Sequence, residues 1–143
     1  MADIVHLGVV GCGGIAKNVL VPSALKIPGF RLRAFADVSI ERAQQMCAAC
    51  EGEYATTDAN RLLTDKSLDA VLICTLPDTH AALAIDFLNA GKHVFLQKPA
   101  AVTYEQCRTL VRAAASARSR SMVAYCYRLS PLVNRVREVL GAP

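Results

Sequence analysis

The sequence lacks any apolar run long enough to cross a membrane. The longest, residues 70–76, has the length of a β-strand, well short of the ~20 residues that a membrane helix needs. The N-terminus has neither a basic segment nor a small-residue cleavage site, so we expect no signal peptide. Internal repeats, low-complexity stretches and linkers are lacking too. With 53% hydrophobic and 20% charged residues, we expect a folded cytoplasmic domain without membrane contacts.

The cysteine pattern lacks the second half of a metal site. Cys47 and Cys50 form a lone C-x-x-C motif, without a second pair or a neighbouring histidine. One interpretation is a redox pair or half of a zinc site. The other, which we favour, is a pair of buried helix thiols in a reducing compartment. We therefore predict no metal site.

Acidic residues are scarce after residue 99, where the sequence contains seven arginines and only two glutamates. The whole chain carries a net charge of +4. An arginine excess can indicate nucleic-acid binding. These arginines are scattered along helical faces without interleaved aromatic residues, which favours a solvated face or a subunit contact. We expect no nucleic-acid partner.

The sequence does contain a regular alternation of short apolar segments and amphipathic segments. It predicts strands at residues 4–10, 31–37, 53–56, 69–75, 92–97 and 121–127, with helices between them and a last helix at 131–141. Gly91 is expected just after one helix, and Thr103 with Gln106 forms a capping box before the next. The predicted fold class is α/β, a doubly wound parallel six-stranded Rossmann sheet with helices on both faces.

A glycine-rich turn follows the first predicted strand. The stretch "VVGCGGIA" contains the spacing G-x-G-x-x-A, followed at once by a helix. In this motif the first glycine permits a tight turn, the second lets a pyrophosphate approach the backbone, and the small last residue packs the helix on the sheet. We predict a dinucleotide-binding loop made of Gly11, Cys12, Gly13, Gly14, Ile15 and Ala16.

Asp37 ends the second predicted strand, where a carboxylate can accept hydrogen bonds from the adenosine ribose. A carboxylate there repels a 2′-phosphate, which favours NAD over NADP. The neighbouring Ser39 and Arg42 could still accommodate a phosphate, so NADP stays possible. A helix cap is the alternative role for Asp37.

Together these stretches resemble the Gfo/Idh/MocA oxidoreductases, the family of glucose-fructose oxidoreductase and inositol dehydrogenase. The resemblance lies in "GCGGIA", "FADVSIERAQ", "DAVLICTLPDTHAALAIDFLNAGKHVFLQKPAAVTYEQ" and "YCYRLSP", in that order, from residue 4 to 141. It implies a cofactor domain at residues 1–128 and, at 129–143, a C-terminal helix leading into a substrate domain that this sequence lacks.

The resemblance also implies a catalytic lysine, Lys98. In the family, the tripeptide matching Gln97, Lys98 and Pro99 is usually Glu-Lys-Pro with a proline that is often cis. The acid binds the nicotinamide ribose, and the lysine lies near the nicotinamide and the reacting hydroxyl. Gln97 keeps the size and a carbonyl oxygen but not the charge. A desolvated lysine at this edge of a parallel sheet can serve as a base or stabilise an alkoxide.

Further cofactor contacts are implied by the same resemblance. The segment matching Thr75, Leu76 and Pro77 runs past the nicotinamide ribose. The residue matching His80 stands near the cofactor, although a purely structural hydrogen bond is its alternative role. The arginine matching Arg128 also approaches the cofactor, and its alternative is an ordinary surface position.

Two functions from different classes follow. The first is the cofactor domain of an NAD(P)-dependent oxidoreductase that transfers a hydride between nicotinamide and a sugar, polyol or cyclitol. The second is a dinucleotide-binding sensor or regulatory module without catalysis, favoured by Gln97 and by the missing domain. The 143 residues are either part of a longer enzyme or a short protein. An exposed apolar face near the C-terminus predicts a homo-oligomer.

Overall fold

The computed structural model describes residues 4–141. The first residues of the predicted cofactor domain (1–128) and the last residues of the predicted C-terminal segment (129–143) lie outside this range, as does part of the N-terminus for which we expect no signal peptide. The six strands are β1 (Val5–Val10), β2 (Phe30–Ala36), β3 (Tyr54–Thr56), β4 (Ala70–Ile73), β5 (His93–Leu96) and β6 (Ser121–Val123). They alternate along the chain with helical segments, as the sequence predicts.

The helices cover most of the chain between the strands. A π-helical segment, Ala16–Leu20, precedes α1 (Val21–Leu25), and the others are α2 (Ile40–Ala49), α3 (Ala59–Thr64), α4 (Pro77–Asn89), α5 (Tyr104–Ser116) and α6 (Pro131–Leu140). A short 3-10 turn, Cys126–Leu129, lies before α6. Among residues 4–141, no helix combines the length and the apolar character that crossing a bilayer requires.

All strand pairs in the sheet are parallel, in the order β3-β2-β1-β4-β5-β6. This is the doubly wound arrangement of two mononucleotide-binding halves, and it confirms the predicted fold class. The chain reverses its direction of winding between β1 and β4. A crevice forms at the carboxyl ends of these two strands, because the following segments leave the sheet in opposite directions.

The core consists of two layers, one on each face of the sheet. Alternate strand residues face alternate layers, as the period of a strand requires. Val10, Ile73 and Leu96 belong to the layer that α3, α4 and α5 cover. Val9 and Phe35 belong to the layer covered by the first helical segments and by α2. The sheet is thereby shielded on both faces, and its carboxyl edge stays open for ligands.

The helix ends follow the predicted signals. After α4, Gly91 adopts a left-handed conformation, its N–H donates to Leu88 O, and the N–H of Lys92 donates to Phe87 O. This pair of bonds is a Schellman motif. The capping box before α5 is present, with Thr103 accepting from the N–H of Gln106 and the Gln106 side chain returning a bond. Both predictions are confirmed.

The sixth strand is shorter than predicted. The sequence predicts a strand over residues 121–127, but β6 ends at Val123. Its neighbour β5 ends at Leu96, whose carbonyl accepts the last inter-strand bond, from the N–H of Ala124. Beyond that point the edge strand has no partner, and residues 126–129 turn into a 3-10 helix. The correction matters because it places Arg128 on a turn.

The predicted last helix is present as α6, but it makes little contact with the sheet. None of its residues that the structure describes is buried. Leu132, Val139 and Leu140 are all 70% or more exposed. α6 thus presents an apolar stripe to its surroundings.

Candidate functional site

A cleft lies at the carboxyl ends of β1, β2 and β4, the crevice expected for this topology. Its volume is about 610 Å³. The glycine turn, the end of β2 and the start of α4 form its walls. The lining residues that matter below are Gly11, Gly13, Gly14, Ile15, Asp37, Arg42, Thr75, Leu76 and Thr79.

Gly11 occupies a position that only glycine fits. Its φ angle is +90°, in the region that side chains disfavour. A Cβ here would lie 2.6 Å from the carbonyl carbon of Cys74 and 2.7 Å from the nitrogen of Thr75. Both are backbone atoms at the end of β4, so the conflict cannot be relieved by moving a side chain. Gly11 therefore brings the ends of β1 and β4 into close contact.

Gly13 and Gly14 have space on the cleft side. No atom lies within 4 Å of a Cβ built on Gly13, and only Asn18 Nδ2, at 3.9 Å, approaches one built on Gly14. Among the described residues, their N–H groups donate to no acceptor outside their own helix. A pyrophosphate fits such a cradle, since its oxygens could accept from these N–H groups where a side chain would intrude. The residues present thus suit a dinucleotide.

Cys12 and Ala16 support the loop from behind. Both are buried in the layer under the first helical segments. Burial raises the pKa of the Cys12 thiol to about 12, with the negative charge of Asp37 as a smaller contribution. Burial also raises the pKa of Cys74 to about 12. Both thiols are protonated at neutral pH, so they pack in the core and do not act as nucleophiles.

Asp37 lies at the end of β2 and fastens the glycine loop. Its Oδ2 accepts the N–H of Cys12 at 2.7 Å, and its Oδ1 accepts the N–H of Ser39 at 2.8 Å. Burial is the largest single influence on the pKa of Asp37 and raises it. Hydrogen bonds from Ser39, Arg42 and Cys12 outweigh burial, so the pKa of this carboxyl lies below its ordinary value.

Arg42 forms an ion pair with Asp37 at the mouth of the cleft. Its Nη2 lies 2.6 Å from Asp37 Oδ1, and its Nε donates to the same oxygen at 3.0 Å. The Arg42 side chain is about half exposed, whereas that of Asp37 is 6% exposed. Ser39 caps α2, accepting the N–H of Arg42. The charge of Asp37 is therefore offset by a guanidinium that itself faces the cleft.

The turn between β4 and α4 forms the opposite wall of the cleft. The Thr79 hydroxyl donates a hydrogen bond to Leu76 O, at 2.9 Å, and its oxygen lies 2.7 Å from Thr75 Oγ1. Pro77 occupies the first helical position, where a missing N–H costs nothing. These contacts fix the wall that Thr75 and Leu76 present to the cleft.

His80 lies behind this wall and not on its surface. The side chain belongs to the first turn of α4 and is 1% exposed. Its Nδ1 lies 2.7 Å from Pro99 O and its Nε2 lies 3.0 Å from Thr75 O. His80 lines neither of the two cavities described here. A direct hydrogen bond to a cofactor would require the ring to give up one of these carbonyls.

Gln97, Lys98 and Pro99 follow β5 at the same edge of the sheet. The Lys98–Pro99 peptide bond is cis, as the resemblance implies. Gln97 Oε1 accepts the N–H of Lys98 at 2.7 Å, and the backbone N–H of Gln97 donates to Ile73 O. The amide oxygen expected to meet a ribose hydroxyl thus already holds the lysine backbone. Lys98 itself is exposed.

Lys98 and Arg128 line a second hollow, of about 410 Å³, at the ends of β5 and β6. Ala124, Tyr125, Cys126 and Tyr127 complete its lining. The hydroxyl of Tyr125 accepts the N–H of Ala100, which joins the 3-10 turn to the segment after Pro99. Within residues 4–141, no salt bridge includes Lys98 or Arg128. The lining of the hollow therefore includes two basic residues without an acidic partner among the described residues.

The structure brings the predicted residues to one edge of the sheet, in three groups. Gly11, Gly13, Gly14, Ile15, Asp37, Thr75 and Leu76 line the cleft; Lys98 and Arg128 line the hollow; Cys12, Ala16, Pro77, His80 and Gln97 lie behind or between them. Thr79, Tyr125 and Tyr127 were not predicted. Thr79 lies in the first turn of α4, which Leu76 precedes as the N-cap residue, and nothing in the sequence singled out the tyrosines.

Comparison with protein families decides the identity of this domain. The family model GFO_IDH_MocA, described as "Oxidoreductase family, NAD-binding Rossmann fold", matches residues 5–125. The chain belongs to this family. The Gfo/Idh/MocA match includes the glycine loop, Asp37, the β4–α4 turn and Lys98, and it confirms the resemblance recognised in the sequence. The domain is an NAD(P)-binding Rossmann domain.

Two curated relatives illustrate the range of the family. Inositol 2-dehydrogenase 2 of Saccharopolyspora erythraea is 30% identical over 138 residues, which are 96% of this chain and 41% of that protein. Putative oxidoreductase YceM of Salmonella typhimurium is 31% identical, over 95% of this chain and 43% of its own length. The chain therefore spans less than half the length of the curated relatives it matches.

Solved structures agree with the fold. KijD10, a 3-ketoreductase from Actinomadura kijaniata crystallised with NADP and TDP-benzene, has a TM-score of 0.87 and 26% identity, over 97% of this chain and 42% of that one. An oxidoreductase from Thermotoga maritima has a TM-score of 0.89 at 22% identity, over 98% and 44%, which supports the fold alone.

Proposed function

We propose that this domain binds NAD or NADP in the cleft and provides Lys98 for hydride transfer between the nicotinamide and a hydroxyl or carbonyl group of a sugar, polyol or cyclitol. The proposal rests on the positions of the two cavities relative to each other. The dinucleotide cleft and the hollow with Lys98 lie at the same edge of the sheet, at the ends of neighbouring strands. An extended dinucleotide needs such an arrangement.

The cofactor would lie along this edge from Arg42 to Arg128. Asp37 would accept the adenosine ribose hydroxyls, and the N–H groups at Gly13 and Gly14 would hold the pyrophosphate. Arg42 supports the acceptance of NADP as well, because its guanidinium already faces the cleft and could turn to a 2′-phosphate. We propose NAD as the preferred cofactor, since Asp37 stays next to the same ribose.

Lys98 would handle the proton of the reacting group. When bound, the cofactor supplies the nicotinamide ring that accepts or returns the hydride. In the oxidative direction the Lys98 amine accepts the hydroxyl proton as the substrate becomes a carbonyl compound. In the reductive direction the ammonium returns it. Arg128, across the hollow, would stabilise negative charge on the reacting oxygen.

The substrate class is supported by the relatives. An inositol 2-dehydrogenase and a 3-ketoreductase are named among proteins similar to this chain. Both names refer to the interconversion of a hydroxyl and a carbonyl group. The chain matches less than half of each relative, so the substrate itself would be selected by residues outside the matched region.

A second candidate is a dinucleotide-binding module without catalysis. Gln97 favours it, because the family's usual acid is replaced by an amide that is occupied with the Lys98 backbone. The Gln97 side chain brings no negative charge next to Lys98. Lys98 itself favours the enzyme, since a sensor would have no need for a lysine in this hollow.

Turnover of the Lys98→Ala variant tests the proposal. Reduction of NAD and NADP would be followed spectroscopically with a panel of sugars, polyols and inositols, in a form of the protein that also carries the substrate-selecting residues. We expect the turnover rate to fall by at least about 100-fold, because a single general acid or base typically accelerates a reaction by that factor or more. Lys66→Ala, an exposed lysine far from the hollow, is the matched control and should leave activity unchanged. Unchanged turnover in Lys98→Ala would remove Lys98 from the mechanism, and cofactor binding without any turnover would favour the second candidate.

A further inference from the structure

The buried ring of His80 touches two segments of the cofactor site at once. Thr75 belongs to the turn that walls the cleft, and Pro99 belongs to the segment that carries Lys98. These segments follow two neighbouring strands, β4 and β5, and they are far apart in sequence. Each offers a carbonyl oxygen to one nitrogen of the same imidazole, at 3.0 and 2.7 Å.

The geometry excludes a passive filling role for this ring. A buried carbonyl without a partner is costly, and a buried imidazole without partners is costly too. An apolar side chain could fill the same space but could serve neither carbonyl. The neutral ring donates to one carbonyl only, whereas the imidazolium donates to both. Because His80 itself belongs to the first turn of α4, a single bond from Nδ1 to Pro99 O already joins the two segments, and the contact with Thr75 O adds a second bond only in the imidazolium.

We infer that His80 is a positioning residue, which holds the Lys98–Pro99 segment against the β4–α4 turn so that the nicotinamide half of the site keeps its shape. The inference rests on the proposed function, because it assigns the hollow beside Lys98 to the nicotinamide end. His80 acts through backbone carbonyls and does not itself touch the cofactor. It therefore differs from the direct contact that the resemblance implied.

The adenosine half of the site does not depend on His80. Asp37, Arg42 and the glycine loop are held by their own hydrogen bonds, to Ser39, to Cys12 and to Ala36. None of these bonds involves α4. Loss of the ring should therefore weaken ligands that reach Lys98 and spare ligands that end at the pyrophosphate. This split distinguishes positioning from a general loss of stability.

The test compares two ligands on the purified chain. NADH reaches the whole site, whereas ADP has only the adenosine and the diphosphate. We expect His80→Phe to lower the NADH affinity relative to the ADP affinity by about tenfold, the loss of one to two buried hydrogen bonds. ADP should bind within about twofold of its original affinity. Circular dichroism would verify that the variant is folded.

Two conservative variants resolve the two contacts. Asparagine can place its amide nitrogen near the position of Nδ1 and so keep the bond to Pro99 O, whereas glutamine can reach the position of Nε2 and the bond to Thr75 O. We expect His80→Asn to retain more of the NADH-to-ADP ratio than His80→Gln, because only the former still holds the lysine segment. These variants also keep the test valid if His80→Phe does not fold.

The control is His93→Phe, at the start of β5 on the opposite edge of the sheet. His93 also makes a hydrogen bond to backbone, accepting the N–H of Arg120, but far from the cleft. The ratio of NADH affinity to ADP affinity should stay unchanged in His93→Phe. An unchanged ratio in His80→Phe, or an equal loss of both ligands, would overturn the positioning role while leaving the proposed function intact. Failure of the original chain to bind NADH would overturn both.

Discussion

Gly11 and Gly13 stand two positions apart in one loop, yet a Cβ would meet different surroundings at each. At Gly11 it would strike the backbone of β4, and the φ angle is positive. At Gly13 it would meet open space on the side of the cleft. The fold requires the first glycine, and the ligand requires the second.

Alanine at each position separates these requirements. We expect Gly11→Ala to lower the free energy of unfolding by about 2 kcal/mol or more, because a clash between backbones adds to strain at positive φ. Gly13→Ala should unfold at nearly the same denaturant concentration but bind NADH at least tenfold more weakly, since its methyl group would occupy the pyrophosphate space. Denaturant titration and calorimetry would measure the two effects. Normal NADH binding by Gly13→Ala would contradict the assignment of the loop.

Arg42 should set how well the domain tolerates a 2′-phosphate. Removing its guanidinium leaves Asp37 unpaired, and the carboxylate then repels the phosphate of NADP. We expect Arg42→Ala to weaken NADP about tenfold and NAD much less, as measured by calorimetric titration. Arg33→Ala is the matched control, because this arginine pairs with Glu53 away from the cleft. Equal losses for both cofactors would contradict the role of Arg42.

Among the structural elements, the strands and helices follow local sequence signals closely. The capping box at Thr103 and the glycine after α4 are short-range features, so the sequence suffices to place them. The end of β6 could not be predicted, because it depends on where β5 stops pairing. The burial of His80 could not be predicted either. Its first-turn position suggests a surface residue, and the segment that covers it follows 18 or more residues later in the chain.

Lys92 provides a second example of a long-range contact. Its buried ammonium donates to Asp65 O at 2.6 Å and to Leu68 O at 2.8 Å. The stretch "AGKHV" lies within one of the segments that carry the family resemblance, but its sequence gives no physical role for the lysine. The structure explains it: Lys92 fastens the loop between α3 and β4 at the edge of the sheet opposite the cleft.

Lys92→Met should therefore destabilise the fold without affecting the cofactor. Methionine fills a similar volume but leaves two buried carbonyls without their charged donor, and we expect a loss of about 2 kcal/mol in the free energy of unfolding. NADH affinity should stay unchanged. Lys66→Met, on the exposed side of the same loop, should change stability by no more than ~0.5 kcal/mol. Equal stability of the two variants would show that the buried contacts contribute little.

For the whole molecule, the doubly wound topology explains why residues from six separate segments meet at one edge. Parallel strands point their carboxyl ends in the same direction, so loops that are distant in sequence become neighbours. The alternation of strands and helices made this edge predictable, and with it the position of Asp37, whereas Thr75 and Lys98 were implied by the family resemblance. The tyrosines of the hollow were not predictable, because the 3-10 turn that presents them exists only where β6 loses its partner.

The apolar stripe of α6 predicts self-association of this chain. Leu132, Val139 and Leu140 are exposed at helical spacing, and burial against a second copy would remove them from water. We expect the sedimentation coefficient to rise with concentration, and Leu132→Glu together with Leu140→Glu to abolish the rise. Asn134→Glu, on another face of α6, should have no effect. A concentration-independent monomer would contradict this prediction.

We propose that residues 11–16, Asp37 and the β4–α4 turn together bind a dinucleotide, and calorimetric titration of the chain with NAD, NADH, NADP and NADPH measures this binding. We predict saturable binding of at least one of these ligands with one site per chain, and tighter binding of the NAD pair than of the NADP pair. An absence of heat and of saturation with all four ligands would contradict the account.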